Sequence, residues 1–262
     1  MKYLACDLDG TLVHENIIKI EDVEAILKLK QKGYKFIIST GRSLNGIDQV
    51  FDKYPNVKYD YIVACNGCLI LDGDRNIIYD NHITNDVAEN VFKDFIDDEN
   101  ICIHFESDGK NYLVDPINTD DIEDLLNYFQ GIINREDLFK EKRDYLLISL
   151  FARNRDINTA DEAKEKLLSK FENELEAYRN QYFIDIVPKG CSKGSGILKV
   201  LQLDGGNIEK LYTIGDSYND ISMFKITENS FTFNNSEDGV KEQANNYVDS
   251  VSECIEEIIR DN

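Results

Sequence analysis

Short, nearly continuous apolar runs recur along the chain, and each ends abruptly in polar or small residues. Tyr3-Leu4-Ala5-Cys6 runs into Asp7-Leu8-Asp9-Gly10-Thr11, and Tyr34-Lys35-Phe36-Ile37-Ile38 into Ser39-Thr40-Gly41-Arg42. Tyr61-Ile62-Val63-Ala64 ends in Cys65-Asn66-Gly67, and Leu211-Tyr212-Thr213-Ile214 in Gly215-Asp216-Ser217-Tyr218-Asn219-Asp220. Runs this short and this continuous predict strands buried on both faces, as in a parallel sheet covered by helices. Helical spacing between them agrees: Val23, Ile26 and Leu27 share one face of a helix over 21–32, and a second helix is expected over 43–53. The fold class expected is therefore α/β, a Rossmann-like parallel sheet flanked by helices.

From about Ile83 to Val187 the rhythm changes. A helix over 84–97, with Thr84 as its N-cap, presents Val87, Val91, Phe92 and Phe95 on one face. A hairpin follows over 101–105 and 111–114, then a short helix over 120–129, a strand over 145–151, a helix over 159–171 and two strands over 174–178 and 182–187. This order, α-β-β-α-β-α-β-β, predicts a separate α+β module. The domains expected are thus a discontinuous core, 1–82 and 188–262, and an inserted cap, 83–187, lying over the ligand pole as a lid. Arg153, Asn154, Arg155, Arg179 and Tyr182 are its candidate substrate contacts.

Ligands bind outside the carboxyl ends of strands in open parallel sheets. Asp7, Asp9, Thr40, Asp216, Asn219 and Asp220 all stand at such ends. Side chains alternate along a strand, so Asp7 and Asp9 point the same way and form an acidic claw suited to a hard divalent cation. Taken singly, each motif also fits a turn or a helix cap, with Thr40-Gly41 and Asp216-Ser217 as caps; their convergence on one pole favours chemistry. Cys65-x-x-Cys68 has no second Cys pair or His cluster beside it and reads as a turn. His14 and His104 read as surface or packing residues. Gly190, Gly194 and Gly196 surround Lys193 without the spacing of a phosphate-binding P-loop.

Composition narrows the partners. In 262 residues, 50 Asp and Glu outnumber 29 Lys and Arg, giving a formal net charge of −21. Sequence-independent nucleic-acid binding is disfavoured, because that needs cations to neutralise phosphates. No apolar run is long enough to span a bilayer, so no membrane partner is expected. Met1-Lys2-Tyr3-Leu4 lacks the apolar stretch of a secretory signal, and the six cysteines fit buried thiols of a reducing compartment. A cytoplasmic protein, monomer or homodimer, is the expectation.

Four pieces in order resemble the haloacid dehalogenase (HAD) superfamily of phosphatases, specifically its Cof-type group with a large α/β cap. They are Asp7-Leu8-Asp9-Gly10-Thr11, Ser39-Thr40-Gly41-Arg42, Lys193 within Pro188-Lys189-Gly190-Cys191-Ser192-Lys193-Gly194, and Gly215-Asp216-Ser217-Tyr218-Asn219-Asp220. Glu237-Asp238-Gly239 stands somewhat earlier than a similar tripeptide often found near that group's end. The resemblance implies a Mg²⁺-dependent phosphomonoesterase of small phosphorylated metabolites, such as sugar phosphates or phosphorylated cofactors. It implies Asp7 as the nucleophile that becomes an aspartyl-phosphate, Asp9 as acid and base, and Lys193 as the charge-balancing cation. Mg²⁺ would be held by the Asp7 carboxylate, the Asp9 main-chain carbonyl and Asp216, with Asp220 orienting them or ligating directly. Thr40 and Asn219 would offer a hydroxyl and an amide to phosphate, with Gly41 in the same loop. Beside Thr40, Arg42 reads either as a substrate contact or as an exposed salt-bridging side chain, and Asn66 is a further candidate. A phosphomutase or phosphotransferase, or a noncatalytic binding protein of the same fold, are the alternatives.

Overall fold

The computed structural model describes residues 1–116 and 120–260. In chain order the apolar runs become β1 (Lys2–Cys6), a small hairpin of β2 (Val13–His14) and β3 (Ile17–Ile18), α1 (Ile20–Gln31), β4 (Tyr34–Ser39), α2 (Leu44–Phe51), β5 (Tyr61–Ala64), β6 (Leu69–Asp72) and β7 (Ile77–Asp80). Next come α3 (Asn85–Phe95), β8 (Ile101–Ser107), β9 (Lys110–Val114), β10 (Gly131–Ile133), α4 (Arg135–Leu138), β11 (Leu147–Ala152), α5 (Ile157–Phe171), β12 (Leu175–Asn180) and β13 (Phe183–Pro188). The chain continues with α6 (Lys193–Asp204), β14 (Leu211–Ile214), α7 (Ile221–Phe224), β15 (Ser230–Phe233), α8 (Asp238–Lys241), β16 (Asn246–Val248) and α9 (Val251–Arg260). None of the described helices is long and apolar enough to cross a membrane.

The described chain divides into two compact units, one of residues 1–42, 47–79 and 192–262, the other of 43–46 and 80–191. The divisions fall at Asp80 and Cys191 rather than at Ile83 and Val187. In the first unit one sheet runs in the order β16-β15-β14-β1-β4-β5-β6-β7. It is parallel from β16 to β5 and turns antiparallel at β6. Leu4, Ala5, Phe36, Ile37, Ile62 and Val63 are fully buried, as strands covered on both faces require. Each large side chain among them contributes roughly 1.5–3 kcal/mol through burial.

The amino ends of the central strands are tied together by one carboxylate. Asp204, closing α6, accepts from the Tyr3 hydroxyl at 2.7 Å, the Tyr61 hydroxyl at 2.9 Å and Lys35 Nζ at 2.5 Å. Asp204→Ala leaves the Tyr3 and Tyr61 hydroxyls and the Lys35 ammonium without this acceptor. Chemical denaturation should show a loss of about 2–3 kcal/mol, the cost of orphaning such groups.

The second unit is a six-stranded sheet in the order β10-β9-β8-β11-β13-β12. All its pairs are antiparallel except β10 with β9. Thr84 does occupy the N-cap of α3, but its side chain makes no cap bond; Asp156 caps α5 instead, accepting from Thr159 N. One sheet face packs against the helices through Phe92, Phe95, Ile103, Phe105, Ile148, Leu150 and Leu167. Arg179 sits on that helix side, paired with Asp161 of α5 at 3.1 Å. Arg155 pairs with Asp124 at 2.5 Å and lies over the Tyr182 ring. These three side chains serve packing and ion pairing within the unit.

His104 and Glu106 occupy the opposite face of β8, two residues apart. The imidazole packs among Phe129, Phe151 and Phe183, its Nδ1 has no partner among the described residues, and burial lowers its pKa to about 4. Glu106 accepts from Gly109 N through Oε1, Oε2 has no partner among the described residues, and burial raises its pKa to about 7. Their linkages oppose each other. Unfolded His104 takes a proton below about 6.5 that the folded form refuses until about 4, so its contribution to stability is lost as pH falls across that window. Folded Glu106 holds a proton that the unfolded form releases above about 4.5, so its contribution is lost as pH rises towards 7. Relative to wild type, Glu106→Gln should steepen the rise of unfolding free energy with pH between 4.5 and 7. His104→Phe should do the reverse between 4 and 6.5. Each difference is bounded by about 1.4 kcal/mol per pH unit, measurable by urea titration at several pH values.

Candidate active site

Every polar terminus singled out in the sequence lies at the carboxyl edge of the first unit's sheet. β1 pairs with β14 so that Cys6 stands opposite Ile214, and with β4 so that it stands opposite Ile38. Asp7, Asp216 and Thr40 therefore follow directly from neighbouring strand ends. Gly10 lets the first and last loops meet. It has φ +80, and a Cβ there would fall 2.4 Å from Asp216 Oδ2. Across this contact the Thr11 hydroxyl donates to Asp216 Oδ1 at 2.7 Å.

Lys193 arrives on the first residue of α6. The helix is capped by Ser192, whose hydroxyl accepts from Ser195 N at 2.9 Å, while Ser195 Oγ accepts from Ser192 N at 2.9 Å. Gly67, just beyond β5, makes room for this cap: a Cβ on it would sit 2.1 Å from the Ser192 carbonyl oxygen. A cation in a first helical turn opposes the helix dipole. Two carboxylates offset that here, because Lys193 Nζ donates to Asp7 Oδ1 at 2.6 Å and to Asp220 Oδ1 at 2.5 Å with only 1% of its side chain exposed. Burial alone would lower the Lys193 pKa, but Asp220 and Asp7 outweigh it and hold the ammonium above its ordinary range.

Asp220 is itself locked. Its Oδ2 accepts from the main-chain N–H groups of Asp216 at 2.9 Å and Ser217 at 3.0 Å. Asp7, Asp216 and Asp220 each offer an oxygen, and these oxygens all lie within 4.8 Å of one another. Three carboxylates thus face one ammonium. Burial first, and then Asp220, pushes the Asp7 carboxyl well above the usual carboxylate range, against the pull of Lys193. Burial and Asp220 likewise raise Asp216 to about 7, with Thr11 pulling the other way. An all-oxygen cluster with uncompensated negative charge fits a hard divalent cation such as Mg²⁺.

The remaining expected residues divide. Thr40 is buried, and its hydroxyl accepts from Arg42 N at 3.1 Å. It does not cap α2; Ser43 does, accepting from Gly46 N at 3.4 Å. Gly41 lies in the bend between Thr40 and Arg42. Asn219 is buried and donates to Asn66 Oδ1 at 3.4 Å, and its own Oδ1 has no partner among the described residues. Asn66, in a left-handed conformation with φ 49, donates its main-chain N–H to the Thr40 carbonyl at 3.0 Å. Thr40, Asn66 and Asn219 are therefore neighbours, although only Thr40 and Asn219 stand in the motifs. Arg42 takes the salt-bridging arrangement, with Nε donating to Asp9 Oδ2 at 2.7 Å and Nη2 to Asp9 Oδ1 at 2.5 Å. The Asp9 carboxylate does not belong to the cation cluster. Cys65 and Cys68 are buried free thiols.

The chain is similar to known proteins over most of its length. A family profile for haloacid dehalogenase-like hydrolases matches residues 4–255. The chain is 26% identical over 269 residues to the 5-amino-6-(5-phospho-D-ribitylamino)uracil phosphatase YwtE of Bacillus subtilis, covering 93% of this chain and 91% of that one. It is 24% identical to YcsE of the same organism, a phosphatase of the same name, over 254 residues and 95% and 90% of the two chains. Among solved structures, a HAD/COF-like hydrolase from Plasmodium vivax superposes with a TM-score of 0.87 at 23% identity, over 100% of this chain and 96% of that one. A subclass IIB sugar phosphatase superposes with a TM-score of 0.80 at 22% identity, over 97% and 95%. These last two establish the shared fold.

Proposed function

Because this chain belongs to the haloacid dehalogenase-like hydrolase family, we propose that its Asp7 pole hydrolyses phosphate monoesters of small metabolites through an aspartyl-phosphate. The observation that carries the reading is the buried charge cluster. Lys193 bridges Asp7 and Asp220, and three carboxylate oxygens converge within 4.8 Å. Such a cluster is costly to bury and has no structural benefit that apolar packing could not supply.

Asp7 is the nucleophile. One of its carboxylate oxygens attacks phosphorus, and the bond from phosphorus to the leaving oxygen breaks. Asp9 delivers its proton to that oxygen. The resulting Asp9 carboxylate then accepts a proton from water as the water attacks phosphorus, releasing Asp7 and phosphate. Acid–base assistance of this kind is worth roughly 10²–10⁴-fold. Lys193 balances charge on the transferred group, and Thr40 and Asn219 offer hydroxyl and amide donors to its oxygens. Mg²⁺, held by the Asp7 and Asp216 carboxylates with the Asp9 carbonyl, would neutralise the phosphoryl dianion that otherwise repels Asp7. Asp220 orients the Asp216 loop and Lys193.

The relatives named for 5-amino-6-(5-phospho-D-ribitylamino)uracil make that compound the first substrate to try. Phosphate release from it, and from a panel of sugar phosphates, should require Mg²⁺ and stop in EDTA. In a single turnover, mass spectrometry of acid-quenched protein should find the phosphoryl group on the peptide containing Asp7. Phosphate release with no such adduct would reject the covalent route.

A further inference from the structure

We propose that Arg42 is a positioning residue for Asp9, and that the tip of the β2–β3 hairpin positions Arg42 through Asn16. This rests on the phosphatase reading and assigns a role within the same site.

The fork of Arg42 meets both oxygens of Asp9, at 2.7 and 2.5 Å, a planar match that fixes the orientation of the carboxyl group. The two partners differ in their surroundings. The Arg42 side chain is 7% exposed and that of Asp9 39%, so the guanidinium is the anchored member and the carboxylate the one that reaches outward. Arg42 is anchored through its main chain as well. Its N–H donates to Thr40 Oγ1 at 3.1 Å, and its carbonyl accepts from Cys65 N at 3.1 Å, tying it to the ends of β4 and β5.

Its NH2 also donates to Asn16 Oδ1 at 3.1 Å. Asn16 and Glu15 form the two-residue turn of the hairpin, with φ 59 and 51, a conformation that asparagine tolerates better than most residues. The hairpin is held in turn by Tyr54, whose hydroxyl accepts from Ile18 N at 2.9 Å and donates to its carbonyl at 3.2 Å. Lys53 Nζ adds a bond to the Asn16 carbonyl at 3.3 Å. Asn16, Arg42 and Asp9 form one chain of contacts. A carboxylate gripped along one edge retains lone pairs for proton exchange on the other.

The test is a double-mutant cycle in this 262-residue chain with Mg²⁺, using β-glycerophosphate as the alkyl ester and p-nitrophenyl phosphate as the aryl ester. Arg42→Ala should lower kcat on β-glycerophosphate by about 10–100-fold, part of the range of acid–base assistance, with KM changed less than about twofold. Arg42→Lys should not restore it, because an ammonium cannot make the fork. Asn16→Ala, the milder change, should cost about 2–5-fold. The losses should be smaller on p-nitrophenyl phosphate, whose leaving group needs little protonation. In an Asp9→Asn background neither substitution should matter further. A raised KM with kcat intact would make Arg42 a substrate ligand, and losses that simply multiply with Asp9→Asn would remove the coupling; either result overturns the proposal. A wild-type protein inactive on both esters would instead overturn the phosphatase reading, and the proposal with it.

Discussion

Asp7→Asn is expected to abolish phosphate release while leaving the protein folded and, without divalent cation, no less stable than wild type. The activity loss should be at least about 10⁴-fold, as for other residues that form the covalent bond. The stability expectation follows from the site's charge. The Asp7 carboxyl is buried and faces Asp220, so its ionised form is disfavoured, and an isosteric amide removes a cost that the folded chain otherwise bears. Thermal unfolding in EDTA should give a midpoint equal to or above wild type, whereas the upward shift on adding Mg²⁺ should shrink, since one ligand is gone. A variant that unfolds in EDTA well below wild type would mean that Asp7 stabilises the fold.

Lys193→Met should behave in the opposite way. It keeps the volume and removes the one cation that Asp7 and Asp220 share, so two buried carboxylates are left without their partner. Breaking a buried ion pair on one side costs about 3–5 kcal/mol, which urea denaturation in EDTA would detect. Catalytic activity should be lost as well. Mg²⁺ should recover part of the stability and none of the activity, because a divalent ion offsets the carboxylates without supplying an ammonium to the transferred phosphoryl group. The pair of variants therefore separates two meanings of a buried charge. One residue is kept for chemistry at the expense of stability, and the other stabilises the first.

Some of this site is legible in the chain and some is not, for physical reasons. β1, β4, β5 and β14 are evident because burial on both faces makes them continuous apolar runs, and their ends carry Asp7, Thr40 and Asp216. β6, β7, β10, β15 and β16 are no longer than β5 and β14, but stretches such as Ser230-Phe231-Thr232-Phe233 and Asn246-Tyr247-Val248 mix polar with apolar residues and give no continuous apolar run to read. Thr40-Gly41 also fits a cap for α2, because a Thr, a Gly and a Ser stand within four residues, and only the folded chain selects Ser43. Lys193 has no local signature among its glycines and serines. Its partners are 186 and 27 residues away, so nothing short of the resemblance could single it out. The same holds for Arg42. Whether a guanidinium beside a strand end meets substrate or Asp9 is decided by a loop 33 residues earlier. Thr11 stands in the first motif and Asn16 just beyond it, but neither position hints at its partner: the Thr11 hydroxyl donates to Asp216, and Asn16 Oδ1 accepts from Arg42.

All six thiols are buried, four of them (Cys6, Cys65, Cys68 and Cys254) in the first unit and two (Cys102 and Cys191) in the second. Burial pushes the Cys6 and Cys254 thiols up, so few thiolates form there in the folded protein. An alkylating reagent must then wait for the chain to open. Its rate at each cysteine becomes a site-resolved clock of breathing motions, and the two sets of tagged peptides time the two halves of the molecule independently.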